Sequence, residues 1–229
     1  MIWYISDSTF IGKTIDIDAL AANIDVPEFL TLIRRFLYDQ LHPDAPLTSS
    51  DVPLESCPIP SGRISVFNSA TATYYAPSDP CGKNGMHREH IRTTESWQRG
   101  PPRHDCVFIN SNPELEGMRG LDVGRAHLFF SFNFHGQQYP CALVHWFAKV
   151  GDEPDEDTGM WIVEPENDEN GAPLFAVLHL DTIFRAAHLI GVYGDQKVPR
   201  KLTFDQSLDA FNLYYVNKFI DHHGFEIAF

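Results

Sequence analysis

The chain has 229 residues, of which 43% are hydrophobic and 13% aromatic, so it can bury a large core and global disorder is excluded. Its 17 Lys and Arg against 31 Asp and Glu give a net charge of −14. That balance excludes a protein whose whole surface clamps nucleic acid or an anionic membrane, and it leaves only a local basic patch for such a role.

Two general features bear on the compartment. No run of about 18 apolar residues is present, and the opening MIWYISDSTF lacks the charged and apolar regions of a secretory signal. We therefore expect an intracellular protein with no membrane partner. The cysteines are widely spaced without a CxxC pair, which predicts free thiols at Cys57, Cys81, Cys106 and Cys141.

Residues 1–60 are predicted to form an N-terminal helical segment followed by a proline-rich wrap. A short helix is expected at about 18–24, and a longer one carries its apolar residues on one face: Phe29, Ile33, Phe36, Leu37 and Leu41. Asp25 before Val26-Pro27 predicts its N-cap, and Pro43 its end. Residues 41–62 are rich in Pro, Ser and Asp, which is typical of irregular chain.

Residues 61–202 are predicted to form a β-rich body, because short β-branched and aromatic runs alternate with Gly, Pro and Asn. The runs HLFFSFNF and YPCALVHWF, joined through His135 and Gly136, predict a hairpin. Residues 203–229 are predicted to form a C-terminal helix and tail, with a capping box at Thr203 and Gln206 and one apolar face: Phe204, Leu208, Phe211, Tyr215 and Phe219. We expect one α+β domain, in which a central antiparallel small barrel or curled sheet lies between N- and C-terminal helices.

Charge is distributed unevenly along the chain. Nine acidic residues and no Lys or Arg lie between Asp152 and Glu169, a stretch that we call the acidic stretch. Five cations lie between Lys83 and Arg103 and are the candidates for contact with DNA phosphates: Lys83, Arg88, Arg92, Arg99 and Arg103. The alternative is that these cations pair with the acidic stretch of the same chain or form an adaptor surface.

Aromatic side chains are dense in the predicted β body. An aromatic cage for a cation needs two to four rings with a carboxylate near the rim, as in a reader of methylated lysine. The peptide-binding candidates are Tyr74, Tyr75, Trp146 and Trp161, although most aromatic residues of this region must belong to the core.

The sequence offers little for catalysis or metal binding. It has no GxSxG elbow, and Cys141 and His145 lie too far apart along a strand to act as a dyad. A zinc site from Cys81, His87, His90, His104 and Cys106 lacks the usual spacing, and the acidic stretch lacks the form of an EF-hand loop. We predict no catalytic residue, no cofactor and no metal; a cryptic site at His145 or His179 is the remaining enzymatic alternative.

A series of strings resembles the C-terminal region of fungal Plavaka-type transposases, relatives of the CACTA elements: SATATYYAPSD (69–79), GMHREHIR (85–92), PPRHDCVFI (101–109), GLDVGRAHLFFSF (120–132), YPCALVHWF (139–147), GDEPDEDTGMWIV (151–163), HLDTIFRAAHLIGVYG (179–194) and SLDAFNLYYVNKFIDHHGFEIAF (207–229). The resemblance covers about residues 19–229, and residues 1–15 do not fit it. It implies a nuclear accessory domain, since the catalytic domain of that family lies upstream of the matched region.

A second resemblance concerns architecture. The order DCVFI, DVGRAHLFFSF, YPCALVHWF, MWIVEP and LHLDTIFRAAHLIGVYG is similar to that of a bromo-adjacent-homology domain. That resemblance implies a chromatin or protein interaction module, although fold alone does not decide function.

These observations together predict a non-catalytic interaction domain of a transposon-derived protein. It would bind protein or chromatin, or the rest of a transposase. The alternative function is a DNA-contacting accessory module that uses the basic segment from Lys83 to Arg103.

Overall fold

The computed structural model describes residues 2–4, 13–60, 62–78, 84–194, 197–198 and 200–229. Its helices are α1 (Ile17–Asn23), α2 (Phe29–Leu41) and α3 (His222–Ile227). Its strands are β1 (Ile2–Tyr4), β2 (Lys13–Asp16), β3 (Arg63–Phe67), β4 (Ser69–Tyr75), β5 (Met86–Thr94), β6 (Arg103–His104), β7 (Cys106–Asn110), β8 (Leu121–Phe134), β9 (Gln137–Lys149), β10 (Ile162–Pro165), β11 (Phe175–His179), β12 (Ile183–Ala187), β13 (Leu189–Gly191) and β14 (Tyr214–Val216).

The strands pair antiparallel in two sheets, which confirms the predicted α+β class with a central curled sheet. The larger sheet runs in the order β12-β7-β8-β9-β10-β14-β13, with β11 also paired to β9 and β3 joining β2 to β8. The smaller sheet runs β1-β4-β5-β6. The register of β8 on β9 shifts between Ala126 and Leu128, and such a bulge bends a strand and increases its twist.

The hairpin of β8 and β9 is confirmed and forms the centre of the larger sheet. His135 and Gly136 make the turn with φ angles of 49° and 82°. Two consecutive positive φ angles match the right-handed twist of the flanking strands, which is why Gly is favoured at such a turn. Both strands are longer than the two sequence runs, which cover residues 127–134 and 139–147. β8 begins at Leu121, and β9 extends from Gln137 to Lys149.

The N-terminal helices pack on one face of this hairpin, and α2 does so with its predicted apolar face, except that Leu41 at the end of the helix is exposed. Phe29 of α2 meets Phe130 edge-on with ring centroids 5.2 Å apart, and Phe36 meets Phe132 and Tyr139 in the same way. The predicted N-cap at Asp25 is wrong. Asp25 has a φ of 56°, in the left-handed region that Asp tolerates, and α2 begins only after Glu28.

The proline-rich segment after α2 is irregular, as predicted, and side chains of α2 hold it. The Arg34 guanidinium donates to the carbonyls of Leu54 and Cys57, and the Asp39 carboxylate accepts from the Ser49 amide and hydroxyl at 2.7 Å each. Polar contacts therefore replace the secondary structure that this composition disfavours.

The predicted helix between Thr203 and Asp221 is wrong. The segment makes a single 3₁₀ turn at Phe204–Gln206 and then forms β14, which pairs with both β10 and β13. Tyr214 and Val216 are buried, whereas Phe219, assigned to the helical face, is exposed. Backbone hydrogen bonds between two strand edges outweigh the local helical pattern. The short helix α3 follows instead, capped by the Asp221 carboxylate, which accepts from the Gly224 amide.

Within the described part of the chain, no helix is long and apolar enough to cross a membrane.

Candidate functional site

The basic residues lie on β5, β6 and the turn between them, a unit that we call the basic hairpin (residues 86–104). Arg88, His90 and Arg92 alternate along β5 and share its outer side, with Arg88 and His90 exposed and Arg92 half-buried. Partial burial, followed by the charges of Arg88 and Arg92, lowers the pKa of His90. Lys83 lies outside the described residues.

The tip of the basic hairpin brings an aromatic ring between two guanidinium groups. Gln98 and Arg99 form the turn with φ angles of 52° and 66°, which leaves Arg99 exposed. Arg92 lies 4.2 Å and Arg103 5.3 Å from the Trp97 ring centroid. Both distances fall within the range of cation–π contacts, so Trp97 holds two like charges close together.

One carboxylate offsets part of this charge. Asp105 accepts from Arg103 Nε at 2.7 Å and from the Arg92 backbone amide at 2.9 Å. Arg88 and Arg99 have no ion-pair partner among the described residues. No ion pair there joins the basic hairpin to the acidic stretch either, so the alternative in which the two segments neutralise each other has no contact that supports it.

Two of the four aromatic candidates are buried. Tyr74 stacks on His223 at 4.8 Å, with the Arg185 guanidinium 5.1 Å from its ring centroid. Trp161 belongs to the apolar cluster around Val163 and Tyr214. Both rings are only 3% exposed. They cannot line an open cage, because core packing already covers their faces.

The other two candidates are accessible but separate. Tyr75 is exposed at the end of β4, and Trp146 is half-buried on β9. No ring contact between any two of the four candidates exists in the described structure. The predicted four-residue cage is therefore not assembled, and Trp146 lines a depression that the other three candidates do not line.

Trp146 lies half-buried at the edge of the apolar cluster between the two sheets. In the strand register Ala148 lies opposite Glu164, and Ile162 lies opposite Tyr215. Since alternate residues of a strand share a side, Trp146, Ala148, Ile162, Glu164 and Tyr215 form one surface, which we call the Trp146 face. All are half-buried except Glu164, which is exposed. Further along the same side of β9, Ala142 and Val144 are fully buried in a cluster with Ala70 and Ile91 of the smaller sheet, so this surface lies where that cover ends.

A depression of about 410 Å³ opens beside Trp146. It is lined by Asp122, Trp146, Phe147, Ala148, Lys149, Glu166 and Leu174. Lys149 pairs with Asp122 at 3.1 Å, which leaves the charges of Glu164 and Glu166 without a cation in ion-pair range among the described residues. The Trp146 face therefore combines an aromatic ring with excess negative charge.

Backbone contacts hold this depression in shape. The Trp146 amide donates to the Leu174 carbonyl at 3.1 Å, and the Glu166 amide donates to the Trp146 carbonyl at 2.9 Å. His145, buried behind the strand, bonds through Nε2 to the Glu166 carbonyl at 2.8 Å. Because a carbonyl only accepts, this nitrogen carries the proton. His145 positions Glu166 here.

His145 is the last of three histidines whose rings contact one another in series, a group that the sequence patterns did not reveal. The His104 and His127 ring centroids are 5.1 Å apart, and those of His127 and His145 are 6.1 Å apart. Burial, then the charges of His104 and Arg125, lowers the pKa of His127 to about 3. The β8 bulge at His127 brings these residues together, and no spacing rule anticipates a bulge.

A buried polar cluster around Arg185 joins the two sheets and α3. Arg185 donates to both oxygens of Asp221, at 2.9 and 2.5 Å, and lies 3.7 Å from Glu89. Burial raises the pKa of Glu89 against the opposing effect of Arg185. Since Arg185 is 3% exposed, we assign this cluster to stability rather than to ligand binding.

Cys57, Cys106 and Cys141 are free and buried, as predicted, and Cys81 lies outside the described residues. Burial raises the pKa of Cys106 to about 12 and also raises that of Cys141, so neither thiol is activated for attack. Among the described residues no group of three or more His, Cys, Asp or Glu is arranged to hold a metal ion. His179 caps a 3₁₀ turn, accepting from the Asp181 amide at 3.3 Å.

Comparison with known proteins found no match among family models, curated proteins or solved structures.

Proposed function

We propose that this chain is a non-catalytic interaction domain whose Trp146 face binds a basic segment of a protein, such as a chromatin tail. The single observation that carries the proposal is the open depression where a half-buried Trp ring lies beside Asp122 and Glu166. A Trp ring attracts cations through its π face, and neighbouring carboxylates strengthen that attraction. The acidic stretch borders this face through Glu164 and Glu166 and extends its negative potential.

The geometry favours a partner with Lys or Arg side chains for a further reason. The depression of about 410 Å³ is large enough for a side chain of an extended peptide. Ile162 and Tyr215 offer apolar area for the aliphatic parts of long cationic side chains. A neutral or acidic segment would leave the carboxylates of the face desolvated without compensation, which costs binding energy.

The test is a fluorescence-anisotropy titration of labelled histone-tail peptides with the purified chain. Glu164→Lys reverses an exposed charge on the Trp146 face, and we expect about a tenfold loss of affinity. Glu114→Lys makes the same charge change at an exposed loop after β7 and serves as the matched control. Equal affinities of the two variants would contradict the proposal, as would retained binding by Trp146→Ala.

The resemblance to the C-terminal region of Plavaka-type transposases supports a transposon-derived origin and a nuclear location. On that basis the partner is chromatin or another part of the transposase. A fluorescent fusion of the chain tests the location, and exclusion from the nucleus would contradict it.

The basic hairpin supports a second candidate function, contact with DNA. The favouring observation is the uncompensated charge of Arg88 and Arg99 next to the pair of guanidinium groups on Trp97. If about three phosphates are contacted, the logarithm of affinity should fall with the logarithm of salt concentration with a slope of about −2.7.

The variant Arg88→Glu with Arg99→Glu should abolish binding to a short DNA duplex at low salt. Arg119→Glu with Lys201→Glu, both exposed outside the hairpin, makes the same change of net charge and is the control. A slope near zero, or equal losses in both variants, would remove this candidate.

A further inference from the structure

Three large apolar side chains lie exposed together near the C-terminus: Phe219, Ile220 and Phe225, which we call the aromatic patch. Their exposed fractions are 59%, 49% and 53%. The Phe219 and Phe225 ring centroids are 5.8 Å apart, and Lys218 Nζ lies 5.5 Å from each ring. Single exposed apolar residues are common, but a contiguous group marks a surface that another molecule covers.

The backbone displays the aromatic patch on an anchored support. Asn217 Oδ1 accepts from the Phe219 amide at 3.1 Å, which turns the chain outward after β14. Phe225 lies on α3, whose opposite side is buried through His223 and Gly224. The Asp221 cap and its ion pair with the buried Arg185 hold that helix. The rings are therefore presented at defined positions.

Lys218 is the cation beside the aromatic patch, and the chain next to Lys218 carries negative charge. A Cβ on Gly159 would lie 3.3 Å from Lys218 Nζ, so Lys218 links the patch to the loop between β9 and β10, which we call the acidic loop (residues 150–161). Asp155 organises this loop by accepting from the Thr158 amide and hydroxyl, at 2.9 and 2.7 Å. The remaining carboxylates of the loop are exposed: Asp152, Glu153, Glu156 and Asp157.

We infer that the aromatic patch and this loop dock an amphipathic basic segment of a partner protein, with apolar residues on Phe219 and Phe225 and cations on the loop carboxylates. The inference rests on the proposed function and adds that the partner carries apolar anchors. A symmetric dimer through the same patch would bring two acidic loops together, which their charge opposes. Charge complementarity therefore favours a basic partner over a second copy.

The experiment compares three synthetic 18-residue peptides by anisotropy: one of Leu and Lys in amphipathic order, one in which Ser replaces each Leu, and one in which Glu replaces each Lys. The wild-type chain should bind the Leu/Lys peptide at least about tenfold more tightly than either of the others, since only that peptide buries apolar area and pairs charge.

Phe219→Ser with Phe225→Ser should lower the affinity for the Leu/Lys peptide by about tenfold or more. Ile59→Ser removes an apolar side chain of 67% exposure from the proline-rich segment and should leave the affinity unchanged. Because all three positions are exposed, we expect both variants to fold. Glu153→Gln with Glu156→Gln should reduce the salt dependence of binding.

Equal binding of the Leu/Lys and Ser/Lys peptides would overturn the inference, as would wild-type affinity in the patch variant. Sedimentation of the wild-type chain as a dimer that the patch variant loses would also overturn it, since a second copy would then cover the patch. If Glu164→Lys still impairs binding of histone-tail peptides, the proposed function survives that failure. If instead Glu164→Lys binds histone-tail peptides like the wild type and the patch variant loses the Leu/Lys peptide, the proposed function is wrong and the patch remains a docking site.

Discussion

Two regions of this molecule place an Arg against an aromatic ring, in opposite environments. In the buried cluster Arg185 lies 5.1 Å from the Tyr74 ring and pairs with Asp221. In the basic hairpin Arg92 lies 4.2 Å from Trp97 while Arg88 and Arg99 are exposed. The same residue types thus stabilise the fold where water is excluded and remain available to a partner where water has access.

The largest difference between the two regions should appear in stability. Arg185→Ala leaves Asp221 and Glu89 without their shared cation in a buried site, so we expect the free energy of unfolding to fall by about 3–5 kcal/mol. Arg92→Ala removes a half-exposed contact and should cost less than about 1 kcal/mol. Urea denaturation followed by circular dichroism measures both.

A second variant that keeps the positive charge at position 185 makes the comparison measurable even if Arg185→Ala does not fold. Arg185→Lys lacks the fork that binds both Asp221 oxygens, so its stability should lie between those of the wild type and Arg185→Ala. Similar losses for the Arg185 and Arg92 variants would mean that burial does not separate the two regions.

A smaller difference between buried and exposed groups should appear in how the free energy of unfolding depends on pH. His127 has a pKa of about 3 in the fold against about 6.5 in the unfolded chain, so its contribution to stability is present above pH 6.5 and lost as the pH falls toward 3. By pH 5 this loss reaches about 1–2 kcal/mol.

His127→Leu should therefore reduce the drop in stability between pH 7 and pH 5, because the leucine cannot take up a proton in the unfolded state. His90→Leu, at an exposed position on the basic hairpin, is the control and should change the drop less. Denaturant midpoints at the two pH values decide the matter; equal drops in both variants would count against a buried neutral His127.

The smallest effect concerns the charge of the basic hairpin itself. Asp105→Asn removes the carboxylate that pairs with Arg103, so DNA affinity at low salt should rise about threefold. Asp209→Asn makes the same change where the partner is Arg125, outside the hairpin. A rise in both variants would indicate a net-charge effect, and no rise in Asp105→Asn would argue against phosphate contact by Arg103.

Local patterns predicted the elements whose stability is mainly local or periodic. The apolar spacing of α2 identified its buried face apart from the exposed Leu41, and the Gly136 turn was sufficient to identify the β8–β9 hairpin. The segment after Thr203 was mispredicted, because β14 forms only where the edges of β10 and β13 accept its backbone groups. A window of sequence contains neither of those edges.

The candidate sites divide in the same way. The charges of Arg88, Arg92, Arg99 and Arg103 could be read directly, since an exposed strand keeps its cations on the surface. The sequence could not predict which of Tyr74 and Trp146 is fully buried, because both are aromatic residues in similar strand-like runs. What separates them is that α3 and Arg185 cover Tyr74, whereas Trp146 lies at the edge of its apolar cluster and stays half-buried.

The sequence by itself determined the α+β class, the antiparallel body, the free thiols at Cys57, Cys106 and Cys141, and the separation of acidic from basic segments. Periodicity and composition are local properties, and they survive folding unchanged. Only the tertiary structure decided which charges pair, which rings are covered, and that Lys218 lies between the rings of Phe219 and Phe225 and the acidic loop. Those outcomes depend on contacts between residues far apart in the chain, and the strand register establishes such contacts only when the whole sheet has formed.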